Sequence, residues 1–139
     1  MATTGGCSCG NVTWSFEGEH IVSAICHCNR CKRNNGSLCS INLIVPAAGF
    51  KETTGKAKSY TSKGPSGNNG SSFFCENCGS PLYIKSDLGP GLVIIKAGSL
   101  DDVSLLEGKF KPSAEIFCET KLNFLPAVEG LTSFPGAMS

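Results

Sequence analysis

Residues 26–31 have the sequence CHCNRC, which places three cysteines within six positions. Cysteine thiolates at such short spacing are typical ligands of zinc, and a structural zinc site has four ligands in a tetrahedral arrangement. This stretch supplies three of them. The fourth ligand therefore either comes from another part of the chain or is absent, which would leave a position open for chemistry.

Two cysteine pairs accompany this stretch, Cys7 with Cys9 and Cys75 with Cys78. The total of nine cysteines is odd, which fits a disulfide framework poorly. If each local cluster stays intact, the two pairs combine into a closed four-thiolate site and residues 26–31 hold a second zinc ion with three ligands. Metal binding at the four-thiolate site would contribute to folding, because only the native fold brings its distant ligands together.

Residue chemistry alone offers four candidates for a fourth ligand of the second site: Cys39, Cys118, His20 and His27. In an alternating backbone the ring of His27 points away from the cysteines on either side of it. A cysteine beside an apolar strand most often serves as a small hydrophobic residue, which applies to Cys39 and Cys118. These arguments favour an open position only narrowly. An iron–sulfur cluster fits less well, because most such clusters are held by four cysteines.

The composition predicts one globular domain over residues 1–139, with 40% hydrophobic and 17% charged residues. The net charge of +1 gives no electrostatic basis for a nucleic-acid or membrane partner. No apolar run approaches the roughly 18 residues of a membrane span, and residues 1–6 lack the features of a secretory signal. We therefore expect a cytoplasmic protein, where a reducing environment favours metal binding over disulfides. Assembly as a homodimer is left open.

Short β-type patterns dominate the chain. Val12, Trp14 and Phe16 alternate with polar residues, which predicts a half-buried strand. The residues after Cys28 predict a single helical turn at most. Residues 62–72, SKGPSGNNGSS, predict either a solvated hairpin connection or a mobile flap beside a ligand site. The sequence thus predicts a mainly β fold with little helix, and further strands are expected at residues 21–25, 41–45, 82–85, 92–97 and 115–119.

Four segments resemble, in order and approximate spacing, the glutathione-dependent formaldehyde-activating enzyme (GFA) family, also called the CENP-V family. They are GGCSCGNVTW (5–14), CHCNRCKRNNGS (26–37), FFCENCGSPLY (73–83) and AGSLDD (97–102). The resemblance covers about residues 5–120 and leaves residues 121–139 as a C-terminal extension. It implies an Mss4-like fold of small antiparallel sheets organised around two zinc ions. It also implies a structural zinc at Cys7, Cys9, Cys75 and Cys78, and a catalytic zinc with an open position at Cys26, Cys28 and Cys31.

The same resemblance implies a zinc-dependent carbon–sulfur lyase, which interconverts a thiol plus an aldehyde with an adduct such as S-hydroxymethylglutathione. Candidates for moving the proton are His27 and either Asp101 or the neighbouring Asp102, although His27 could equally be a second-layer hydrogen-bonding residue and the pair of aspartates part of a turn or cap. The nearest cations for an anionic substrate such as glutathione are Arg30, Lys32 and Arg33, which could also be solvated surface charges. Alternatives are a zinc enzyme of small-molecule biosynthesis with a different addition, elimination or isomerisation, and a non-catalytic zinc interaction module.

Two departures from the family's pattern concern the thiol. Many members have Arg or Lys just before the third cysteine cluster, where this chain has SSFF at residues 71–74. Many also have a Trp at the end of the domain, where this chain has ETKLNFLP at residues 119–126. Missing cationic and aromatic groups would alter recognition of a glutathione carboxylate. We therefore expect that the substrate thiol can differ from glutathione.

Overall fold

A computed structural model describes residues 2–64 and 67–138 of the chain. Within these residues there are eleven strands in two sheets and one α-helix, so the prediction of a mainly β fold with little helix is confirmed. The helix and strands are β1 (Thr3–Gly6), β2 (Thr13–Phe16), β3 (Val22–Cys26), α1 (Asn29–Asn35), β4 (Ser40–Pro46), β5 (Phe50–Thr54), β6 (Lys58–Lys63), β7 (Asn69–Phe74), β8 (Pro81–Ser86), β9 (Leu92–Lys96), β10 (Ala114–Ile116) and β11 (Thr132–Ser133). Short 3-10 turns occur at Ala47–Gly49, Ala97–Ser99, Val103–Glu107 and Cys118–Thr120.

The smaller sheet has the order β1-β2-β5 and is antiparallel. The larger sheet has the order β11-β10-β3-β4-β9-β8-β7-β6, and β10 runs parallel to both β3 and β11. It is therefore larger than the small antiparallel sheets that the family resemblance implied, and one end of it is parallel. A parallel neighbour requires a long crossover connection, and most of the chain separates β3 from β10.

The core lies between the two sheets. The alternating residues Val12, Trp14 and Phe16 are all buried there, as the sequence pattern predicted. They pack against one face of the larger sheet, which contributes Leu43 and Ile95 among others. The indole Nε1 of Trp14 donates a hydrogen bond to a side-chain oxygen (Ser99 Oγ, 3.1 Å), so the buried ring is also satisfied as a donor.

The opposite face of the larger sheet positions the candidate site. Strand register places Asn42 beside Lys96 and Ile44 beside Ile94, and these residues alternate with the core residues of the same strands. Helix α1 packs over this face against β4. The side chains on this face therefore point away from the core, and α1 covers one end of the face.

Two local expectations differ from the structure. The single turn expected after Cys28 is a seven-residue helix, whose start is capped by Cys28 and whose end is Gly36 in the left-handed region (φ 60°). β6 and β7 form the hairpin expected at residues 62–72, but its connection is shorter than expected, because β6 extends to Lys63 and β7 begins at Asn69. The predicted loop also includes residues 65 and 66, which lie outside the described residues. None of the described helices is long and apolar enough to cross a membrane.

Candidate functional site

The two outer cysteine pairs come together in the structure. Cys7 and Cys9 lie in the turn between β1 and β2, and Cys75 and Cys78 lie in the turn between β7 and β8. All four sulfurs lie within 4.8 Å of one another. The Cys9 sulfur is 3.6 Å from that of Cys7 and 3.7 Å from that of Cys75. Tetrahedral bonds of about 2.3 Å would separate two zinc-bound sulfurs by roughly 3.8 Å, so this group fits a metal ion.

The backbone around this group suits a metal-binding turn. The N–H of Gly79 donates to the carbonyl oxygen of Cys75 (2.7 Å), which closes the turn that contains both cysteines of the pair. Gly79 has φ 77°, a conformation that favours glycine. Ser80 accepts a hydrogen bond from the backbone N–H of Ser8 and thereby joins the two turns (3.1 Å). The N-terminal hairpin is therefore tied to the middle of the chain at this point.

The three remaining clustered cysteines form a second group at one end of β3. Cys26 ends the strand, Cys28 caps α1 and Cys31 lies in the first turn of the helix. All three are buried, and their sulfurs lie within 4.8 Å of one another. The Cys26 and Cys31 sulfurs are 3.2 Å apart. Within residues 2–64 and 67–138, no fourth cysteine, histidine or carboxylate joins this group. The group could hold a metal ion with three protein ligands.

Electrostatics support a cation at this second group. Hydrogen bonding with Cys28 and Cys31, and then burial, raises the pKa of the Cys26 thiol. Hydrogen bonds from Cys26 and Cys28 lower the pKa of the Cys31 thiol. The thiols therefore share protons, because three buried sulfurs cannot all carry negative charge without compensation. A metal cation would supply that compensation and release the protons.

Lys96 supplies a buried positive charge beside the three cysteines. It is 6% exposed, and its Nζ lies 3.3 Å from the side-chain oxygen of Asn42. Burial lowers the pKa of Lys96, while negative charge on the cysteines, Cys31 above all, opposes that effect. No motif in the sequence pointed to this residue. The sequence offers one sign of its role, because a lysine directly follows the apolar run at residues 92–95. A lysine in that position is equally common where the end of a strand faces solvent.

A cavity of about 190 Å³ opens directly onto the three cysteines. It lies over the face of the sheet that is opposite the core. Arg30, Asn34, Asn42 and Ser86 provide its polar lining. Most of the remaining lining is apolar, and the side chains larger than alanine are Ile44, Ile84, Ile94, Ile116 and Phe117.

Phe117 adopts a backbone conformation that is unusual for its side chain. Its φ of 53° and ψ of 43° lie in the left-handed region, and no other described non-glycine residue has positive φ. Such a conformation costs about 1–3 kcal/mol and occurs preferentially at ligand sites. The surrounding structure holds it in place through the N–H of Phe117, which donates to the carbonyl oxygen of Gly136 (2.9 Å). The sequence carried no signal for this residue.

The side chain of His27 is directed away from the cavity. Its Nε2 donates to Oε1 of Glu115 (2.7 Å), which lies on the core side of β10, and its ring is 2% exposed. The alternation argument from the sequence therefore describes its direction correctly. The N–H of His27 also donates to the carbonyl oxygen of Ile116 (3.1 Å). Both contacts hold the backbone between the two neighbouring cysteines against β10.

The structure places Asp101 at the edge of the smaller sheet. Its Oδ2 accepts a hydrogen bond from the hydroxyl of Thr4 (2.7 Å), and its side chain is exposed. Asp101 does not line the cavity beside the three cysteines. The neighbouring Asp102 accepts from the N–H of Ser104 (3.1 Å), which is the cap considered for this pair.

The three cations after Cys28 have different surroundings. Arg30 lines the cavity, and its Nη2 donates to the carbonyl oxygen of Gly70 (2.9 Å). Lys32 donates to the carbonyl oxygen of Thr120 (2.6 Å), which ties α1 to the C-terminal segment. Arg33 is exposed and lines a neighbouring pocket of about 480 Å³. Only Arg30 therefore lies beside the three cysteines.

The sequence model that matches residues 2–120 is described as "Glutathione-dependent formaldehyde-activating enzyme". The chain belongs to this family. No curated protein matches the chain. A crystal structure of a Rhodobacter sphaeroides protein matches it with a TM-score of 0.60 at 19% identity, and the match covers 77% of this chain and 96% of that one. At that identity the likeness supports the fold alone.

Membership of the formaldehyde-activating enzyme family agrees with the resemblance of the four quoted segments. The match includes both cysteine groups and ends at Thr120, whose carbonyl oxygen accepts the hydrogen bond from Lys32. The family's description implies a glutathione-type thiol as substrate. In this chain, the described group that suits chemistry on sulfur is the buried set of three cysteines with its cavity.

Proposed function

We propose that this protein is a zinc-dependent carbon–sulfur lyase that acts on adducts of thiols with carbonyl compounds. One observation carries the proposal: three buried cysteine sulfurs converge beside a cavity, and no fourth protein ligand among the described residues joins them. A zinc ion with three protein ligands and one free position is the arrangement of a catalytic site. Zinc rather than iron is proposed because clusters of iron and sulfur mostly require four cysteines.

The proposed reaction balances without an oxidant or a reductant. In the cleavage direction the bond between sulfur and the hydroxyl-bearing carbon breaks, and the electron pair stays on sulfur. The hydroxyl group loses its proton and becomes the carbonyl of an aldehyde. The proton ends on sulfur, so that the products are a thiol and an aldehyde. When bound, zinc would supply positive charge that lowers the pKa of the thiol and stabilises it as a leaving group.

Residues of the chain would orient and stabilise the substrate. The charge of Lys96 lies on the cysteine side of the sheet, where it favours negative charge on a substrate sulfur. Asn42 lines the cavity and shares its side-chain oxygen with Lys96, which leaves its N–H groups available for the substrate oxygen. Of the two expected proton carriers, neither His27 nor Asp101 lines the cavity. We therefore propose that His27 positions the cysteines through its contact with Glu115.

We propose a structural role for the other cysteine group. Four thiolates complete a tetrahedral site and leave no position for substrate. A zinc ion at Cys7, Cys9, Cys75 and Cys78 would stabilise the junction between the two turns. The protein would then contain two zinc ions, one structural and one catalytic.

Zinc content and activity test these roles together. Elemental analysis should find about two zinc ions in the wild-type protein, about one in Cys28→Ala, and about two in Cys39→Ala. Cys39 is a matched control, because it belongs to neither cysteine group. Exchange between glutathione, formaldehyde and their adduct, followed by NMR, should be fast for the wild type and for Cys39→Ala, and should be lost in Cys28→Ala.

A retained fold is needed to interpret the loss of exchange. The far-UV circular dichroism spectrum of Cys28→Ala should match that of the wild type, since the four-cysteine group is unchanged. The lyase proposal is refuted if Cys28→Ala loses one zinc ion and still catalyses exchange at the wild-type rate. It is also refuted if the wild-type protein accelerates neither this exchange nor that of other thiol adducts.

A further inference from the structure

The cavity beside the three cysteines indicates which substrates suit this site. We propose that it binds an apolar group of about five to eight non-hydrogen atoms, attached to the carbon that carries the sulfur. The substrate would then be a thiol adduct of an apolar aldehyde rather than of formaldehyde. This inference rests on the proposed lyase function and specifies its substrate class.

The volume of the cavity sets the size of the group. An engineered protein cavity of about 150 Å³ with an aliphatic and aromatic lining binds benzene. The cavity here is about 190 Å³, which is enough for a phenyl ring or a short alkyl chain. Pockets that enclose a whole drug-sized ligand are about 300–1,000 Å³. The cavity is therefore too small for a complete tripeptide adduct and suits one part of it.

The lining of the cavity sets its polarity. Ile84, Ile94 and Ile44 lie side by side on three neighbouring strands and form its floor. Ile116, the last residue of β10, and Phe117, which follows it, add a wall. Formaldehyde would leave these side chains without a partner, because its adduct carries only hydrogen at that carbon. An apolar aldehyde would cover them and displace water.

Arg30 encloses the cavity on the side of β7. A Cβ atom at Gly70 would lie 3.0 Å from Nη1 of Arg30, so the absence of a side chain at this position lets the guanidinium lie flat against the strand. Its hydrogen bond to the carbonyl oxygen of Gly70 fixes it there. The cation thus bounds the apolar space and does not fill it.

The remaining part of the substrate has a place next to this cavity. The pocket of about 480 Å³ shares Asn34 and Ile84 with it, so the two spaces adjoin. Arg33 and Lys96 line that second pocket and provide positive charge. A thiol that carries carboxylates fits there, while the apolar group lies in the smaller cavity. This division assigns the apolar group to the carbonyl side of the adduct.

The size of the expected preference follows from the apolar area that is buried. Each buried methylene contributes a factor of about four in affinity, and the five-carbon chain that hexanal adds to the reacting carbon is only partly enclosed. We expect kcat/KM for the glutathione adducts of hexanal and benzaldehyde to exceed that for the formaldehyde adduct by roughly 10²-fold. The butanal adduct should lie between them.

Binding to the zinc-loaded protein gives a measurement that does not depend on turnover. Benzyl mercaptan carries a phenyl group on its sulfur-bearing carbon, whereas 2-mercaptoethanol is small and polar. Calorimetric titration should show benzyl mercaptan binding roughly 10²-fold more tightly. Phe117→Gly removes one wall of the cavity and suits the left-handed backbone at this position, so it should fold. It should reduce this ratio about tenfold, whereas Ile21→Ala, at an exposed residue outside the cavity, should not change it.

The outcomes separate this inference from the lyase proposal. The apolar substrate class is overturned if the two thiols bind with equal affinity, or if the formaldehyde adduct is cleaved at least as fast as the hexanal adduct. Cleavage of any adduct would still support the lyase proposal. If no adduct is cleaved but benzyl mercaptan binds preferentially and Phe117→Gly weakens it, the cavity is supported as an apolar subsite and the lyase proposal fails.

Discussion

Replacing Glu115 by Gln tests whether the buried carboxylate that contacts His27 and Lys121 stabilises the fold. Oε1 of Glu115 lies 2.7 Å from Nε2 of His27 and 2.8 Å from Nζ of Lys121. Glutamine keeps an acceptor oxygen of similar size and removes the negative charge. Removing one partner of a buried pair costs roughly 3–5 kcal/mol. The side chain of Lys121 is 19% exposed, so solvent recovers part of this loss and we expect about 3 kcal/mol.

The assay is thermal and urea unfolding of the zinc-loaded protein, followed by circular dichroism. A loss of about 3 kcal/mol in a domain of 139 residues should lower Tm by roughly 10–15 °C. Glu119→Gln is the matched control, because Glu119 is exposed and forms no salt bridge among the described residues. It should change stability by less than about 0.5 kcal/mol. The reasoning is refuted if the two variants lose equal stability.

The same variant has an expected pH dependence. Burial opposes ionisation of Glu115, but hydrogen bonds from Lys121 and His27 outweigh it and lower the pKa of this carboxyl below its ordinary value of 4.5. A lowered folded-state pKa contributes stability that is fully present above pH 4.5 and is lost as the pH falls through the folded value. The stability difference between the wild type and Glu115→Gln should therefore be fully present above pH 4.5 and shrink as the pH falls further. A difference that grows on acidification would contradict the assignment.

Two further changes have clear expectations. In Gly5→Ala the new Cβ would lie 2.2 Å from the backbone oxygen of Ser99, so urea unfolding should show a loss of stability of about 2 kcal/mol or more. The control Gly98→Ala, with no atom within 4 Å of its Cβ, should change stability by less than about 0.5 kcal/mol. Lys96→Met should reduce kcat/KM for adduct cleavage by roughly 10²-fold, because a buried charge beside the reacting sulfur is lost. The control Lys58→Met, at an exposed site, should leave kcat/KM within about twofold of the wild-type value. Equal rates in the two lysine variants would exclude the proposed role of Lys96.

Much of the grouping of the cysteines could be predicted from local sequence. Candidate ligands such as Cys26, Cys28 and Cys31 are close in sequence, so short-range backbone geometry brings their sulfurs together whatever surrounds them. The pairing of Cys7 and Cys9 with Cys75 and Cys78 followed from counting ligands. Strand positions were also largely predictable, because alternation at residues such as Trp14 depends on the two faces of a strand.

The sequence by itself determined the mainly β character of the chain and the residues able to bind metal, because periodicity and ligand spacing are local properties. Tertiary structure alone decided what surrounds the second cysteine group. Lys96 and Asn42 meet there through the register of β9 and β4, and Phe117 directly follows β10, which pairs parallel to β3. Such neighbours depend on sheet order and register, which are set by long-range packing of the whole chain and leave no mark on any short stretch of sequence.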